Sequence, residues 1–134
     1  MKKLLFIGFV FMSFNAKSQL SVAPNGDNKK AWVGERIGIT DVSIGYSRPG
    51  VRGREGNIYG KLVLHGLNDP GFGTSKTAPW RAGANENTVI SFTNEVKING
   101  SPLPAGKYGF FVITDPNECT VIFSKNSTSW KLLL

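Results

Sequence analysis

Apolar and polar residues alternate with a period of two along most of the chain, which is the pattern of half-buried strands. Val42, Ile44 and Tyr46 alternate with Ser43, Gly45 and Ser47, predicting a strand that stops at Pro49, which lacks a ladder donor. Thr88 to Phe92 predicts a second strand, with Ile90 and Phe92 on one side and Val89 and Ser91 on the other. Val96 and Ile98 lead into Asn99-Gly100, a hairpin turn signal that makes both residues structural. Pro102 and Pro104 place the return leg at an edge or a loose crossing.

From Lys107 to Thr114 both sides of the strand pattern are apolar, as expected of a central strand covered on both faces. Asp115-Pro116-Asn117 supplies a turn, and Cys119 to Ser124 returns as the antiparallel neighbour. Helical periodicity is missing over any useful length. These elements predict an all-β fold, an antiparallel β-sandwich of immunoglobulin-like or jelly-roll type. Tyr108, at the start of its strand after Leu103-Pro104-Ala105-Gly106-Lys107, reads as a structural tyrosine corner bonding back to upstream backbone.

Two stretches depart from the strand pattern. Residues 1–18 carry Lys2 and Lys3, an apolar run from Leu4 to Phe14, and Ala16 and Ser18 at the −3 and −1 positions of a cleavage site before Gln19. They read as a signal peptide, too short to span a bilayer, so the expected product is exported to the periplasm or secreted, as a single domain over residues 19–134 without a membrane span. Its removal takes Lys2, Lys3 and Lys17, so 16 basic residues become 13 against 9 acidic ones and the formal charge falls from +7 to +4. With no Lys/Arg run, that excess argues against nucleic acid as a partner. Cys119 is the single cysteine, which excludes an internal disulfide and is expected to be a small buried residue.

The second departure is the long connection from Pro49 to Ala78, with a brief helical turn or a strand expected within Ile58 to Leu64. Gly50, Gly53 and Gly56 are turn glycines, since no helix follows them as a dinucleotide fingerprint requires. Gly71-Phe72-Gly73-Thr74-Ser75-Lys76 has the letters of a phosphate loop in the wrong order. His65 is the sole histidine and the acids are scattered, so neither a metal site nor any cofactor is predicted. There is also no nucleophile elbow.

The chemistry concentrates in Pro79 to Thr88, where Trp80, Arg81, Asn85, Glu86 and Asn87 surround Gly83, itself read as structural. If this segment approaches the Arg48, Arg52, Arg54 and Tyr59 loop, guanidinium forks and aromatic faces form a pocket for a small polar, anionic or saccharide-like ligand. The alternative is that these groups bind one another, Arg81 to Glu55 or Arg54 to Glu86, stapling the loop to the sheet. Functionally the expectation is a non-catalytic exported module that binds such a ligand or a cell-envelope protein. The rival is a hydrolase using Glu86 or His65 as acid/base beside the arginines.

Several words in this chain are specific: IGITDVSIGYSRPGVRGR (37–54), IYGKLVLHG (58–66), PWRAGANENT (79–88), VKINGSPLPAGKYGFF (96–111) and VIFSKNSTSW (121–130). In this order they resemble the exported bacterial proteins of the DUF2911 family. The resemblance implies an all-β exported domain and carries no activity or site residue. It departs after Trp130, where the family pattern continues with glycine and an aromatic-rich strand but this chain has Lys131-Leu132-Leu133-Leu134. The sandwich is therefore expected to lack its last strands, leaving an incomplete C-terminus.

Overall fold

A computed structural model describes residues 28–69, 71 and 76–128. The expected signal peptide, the Phe72 to Ser75 part of the glycine-rich kink, and the divergent tail from Trp130 lie outside the described residues. Seven strands are present: β1 (Lys29–Ile37), β2 (Thr40–Arg48), β3 (Thr88–Phe92), β4 (Val96–Ile98), β5 (Ser101–Leu103), β6 (Gly106–Ile113) and β7 (Thr120–Ser124). They form a five-stranded antiparallel sheet in the order β1-β2-β3-β6-β7 and a separate β4-β5 hairpin. The fold is all-β and sandwich-like, with no helix among the described residues.

Strand β1 precedes the first strand expected from sequence. It joins β2 through a two-residue turn at Gly38-Ile39, with Ile37 opposite Thr40 and Gly38 at φ 61°. Its alternation is weak because Glu35 interrupts the face that carries Ala31, Val33 and Ile37. The β3 span, the 96–103 hairpin and the β6-β7 pair follow the expected pattern. Asn99 and Gly100 take φ of 48° and 82°, the left-handed pair that a two-residue hairpin loop needs.

Register decides which side chains meet. Val42 faces Phe92, Ile44 faces Ile90, and Ile90 faces Tyr108 across three consecutive strands. Ile90, Phe92 and Tyr108 form the buried centre, covered by Val96 and Leu103 of the small hairpin and flanked by Phe110 and Phe123. Tyr108 meets Phe123 edge-on, with ring centres 6.5 Å apart. The opposite side of β6 buries Phe111 completely, so this strand is covered on both faces as its composition requires. Tyr108 Oη donates to the Pro104 carbonyl at 2.7 Å, which closes the tyrosine corner.

One expectation is corrected. Cys119 is exposed, because it lies in the turn before β7 and directs its thiol to the Asp115 carbonyl at 3.8 Å rather than to the core. Of the two alternatives left open by the sequence, residues 58–64 take the turn rather than the strand. They make one tight turn in which Leu62 N and Val63 N both donate to the Ile58 carbonyl, at 2.9 and 2.8 Å.

Candidate functional site: a cleft within the β2–β3 connection

The β2–β3 connection does not run free. Gly66 N donates to Thr114 O at 2.8 Å and Thr114 Oγ1 donates to Leu64 O at 3.0 Å, which fastens the connection to the end of β6. Asn68 and Ala78 exchange backbone bonds of 3.1 and 2.9 Å, and Trp80 and Val112 exchange bonds of 2.9 and 2.8 Å. Two arms of this one connection, around Leu64–Asn68 and around Ala78–Trp80, are thereby anchored to each other and to the end of β6. These bonds satisfy the backbone groups that they join.

Between them opens a cleft of about 700 Å³. Ile58, Leu62, Val63 and Leu64 from the tight turn supply apolar lining with Ala78 and Pro79, while Arg52, Arg54 and Arg81 bring positive charge, Asp69 one carboxylate and Trp80 an indole. Its size falls in the range of small-molecule sites, and its makeup, apolar walls with a few polar groups, is also theirs. Arg54 is held by its own loop: Nε donates to Val51 O at 2.9 Å and a terminal nitrogen to Gly50 O at 2.7 Å. Those bonds fix the guanidinium and use two of its five N–H donors. Arg52 has left-handed backbone, φ 51°, and so does Ala82, next to Arg81, φ 54°. Non-glycine residues adopt this conformation at a cost of about 1–2 kcal/mol, which the bonds anchoring the connection offset.

Arg81 is half-buried, and burial lowers its pKa while the charge of Glu86 opposes that shift. Glu86 itself takes Lys30 of β1 as its ion-pair partner. The Lys30 hydrogen bond is the main cause that holds the Glu86 carboxyl below the usual range, with Arg81 contributing at longer reach. Arg54 is thus committed to loop carbonyls and Glu86 to Lys30, in place of the Arg54–Glu86 staple.

The structure divides the residues singled out from sequence. Arg52, Arg54, Trp80 and Arg81 share the cleft. Tyr59 stands outside it, its ring edge-on to Trp80 at 6.0 Å. Arg48 is exposed at the end of β2, opposite Lys29. Asn85 is buried and accepts a 3.3 Å bond from Asn28, which lines the cleft. Asn87 is buried too, donating to Thr88 O at 3.0 Å and Ser127 O at 3.4 Å, so it ties the start of β3 to the segment after β7. Gly83 lies against β2: a Cβ there would sit 3.1 Å from Ser47 O and 3.2 Å from Thr88 Oγ1, so its role is close approach. His65 is exposed with its ring against Gly60. Among the described residues no three of His, Cys, Asp and Glu gather to hold a metal.

Sequence reasoning missed Asn28, Lys30 and the apolar lining from residues 58–64. Asn28 and Lys30 belong to the unrecognised β1 region, whose Lys30, Trp32, Gly34 and Arg36 do share one face. Comparison with known proteins finds no matching curated protein and no matching solved structure. A family model described as "Protein of unknown function (DUF2911)" matches residues 28–133, which takes in the whole β2–β3 connection and every strand. The chain belongs to the DUF2911 family.

Proposed function

We propose that this chain is an exported binding module whose cleft takes a small molecule with an anionic group and an apolar body. The observation that carries this reading is the convergence of Arg52, Arg54 and Arg81 around walls built by Ile58, Leu62 and Val63. Guanidinium groups grip carboxylates through paired N–H donors, and the apolar walls with Trp80 accept the rest of the ligand. Export rests on the signal-like N-terminus. The hydrolase reading loses support at Glu86: a general acid needs a raised pKa, and Lys30 lowers this one.

Calorimetric titration with aliphatic and aromatic carboxylates, each paired with its uncharged amide, tests the proposal. Carboxylates are expected to bind and their amides to bind far less. Arg81→Ala should weaken binding by about 10-fold or more, the scale of a lost charge-assisted hydrogen bond. Equal binding of acid and amide, or no binding of either, overturns it.

A further inference from the structure

On the other side of the Pro79–Thr88 segment lies a second, smaller hollow, and we propose that it binds a single sugar ring. It has a volume of about 110 Å³ and sits on the face of the sheet opposite the Ile90–Tyr108 core. Its floor is Gly45 and Ser47 of β2; Trp32 and Lys30 of β1 and Glu86 form its sides. Pairing of Trp32 with Gly45 and of Lys30 with Ser47 sets these side chains side by side.

Two independent features point to a ligand. Trp32 is 72 % exposed and lies across Gly45, so close that a Cβ there would be 2.6 Å from its Nε1. The glycine lets the indole lie down as a platform beside the hollow. Ser47 lines the same hollow at 3 % exposure, and its Oγ has no hydrogen-bond partner among the described residues. Buried hydroxyls are almost always paired, so an unpaired one in a hollow marks a place for a polar guest.

The chemistry of the lining selects the class of guest. The Lys30–Glu86 pair offers a donor and an acceptor together, and the serine hydroxyl serves as either. An anion would meet the Glu86 carboxylate and a cation the Lys30 ammonium. A wholly apolar ring would leave the hydroxyl and the ion pair without partners. A pyranose has an apolar C–H face for the indole and hydroxyls that both donate and accept. The volume is below that of ordinary drug-sized sites, which limits the guest to one ring.

The test is NMR titration of the ¹⁵N-labelled full chain with the methyl glycosides of glucose, galactose, mannose and N-acetylglucosamine, and with cyclohexanol as a ring lacking the hydroxyl array. At least one glycoside is expected to shift the Trp32 indole N–H saturably, and cyclohexanol is not. Gly45→Ala, which keeps the tryptophan but displaces it, should weaken binding about 10-fold, and Ser47→Ala about 5-fold, the scale of one hydrogen bond. No saturable shift with any glycoside, an equal response to cyclohexanol, or wild-type affinity in Gly45→Ala overturns the proposal.

Discussion

Tyr108 Oη and the Pro104 carbonyl are joined by a 2.7 Å hydrogen bond that spans only four residues yet closes one end of the core. The ring of the same tyrosine packs with Phe92 and Phe123, so one side chain fixes both a strand entry and the layer beneath the β4-β5 hairpin. Tyr108→Phe keeps the packing and deletes the bond. Urea unfolding should show a loss of about 1 kcal/mol with an unchanged m-value, the scale of one part-buried hydrogen bond.

Gly109 and Gly45 lie in neighbouring parts of the same sheet face but should respond differently to a methyl group. A Cβ at Gly109 would be 2.6 Å from the Asn126 carbonyl and 2.9 Å from both Asn87 Nδ2 and Phe111 Cε2. Backbone and a fully buried ring cannot move aside cheaply, so Gly109→Ala should cost about 1–3 kcal/mol. Gly45→Ala meets only the exposed Trp32 and should cost well under that in the same denaturation assay.

The Lys30–Glu86 pair predicts a pH dependence. The folded-state pKa of Glu86 is depressed relative to the unfolded chain, chiefly by the Lys30 hydrogen bond. Its contribution is therefore present above the ordinary glutamate range, about pH 4–5, and fades as pH falls through the lower folded value. Glu86→Gln should be less stable than wild type at neutral pH and equal to it in strong acid. The two side chains are 48 % and 33 % exposed, so the neutral-pH difference should stay within about 1 kcal/mol. Asp41, depressed by its bidentate bond with Arg36, keeps a residual slope of the same sign in both proteins.

The exposed position of Cys119 has a direct chemical readout. Ellman's reagent should label the thiol in the native state without denaturant, at a rate close to that in the unfolded chain. Protection until unfolding would place the sulfur in the interior after all.

Period-two patterning and turn chemistry are local, and so β3, the Asn99-Gly100 hairpin, β6 and β7 could be read from the residues themselves. The same holds for the tyrosine corner. Strand β1 was not legible because one of its faces mixes Val33 with Glu35, and the other carries Trp32 between Lys30 and Gly34. Cys119 was misread because β7 begins one residue later, at Thr120, and the cysteine still belongs to the turn. The arginines of the cleft stood out in sequence by type and crowding. The apolar walls did not, because residues 58–64 owe their position to bonds with Thr114 and with one another that no short-range pattern announces.

Ser47 also belongs to both sides of the molecule's polar segment. Its carbonyl receives Ala84 N at 3.4 Å, next to the larger cleft, while its hydroxyl sits in the smaller one. One residue of β2 therefore touches both hollows, its backbone through Ala84 and its side chain through the lining it shares with Trp32, so a change at position 47 is felt on both flanks of the polar segment.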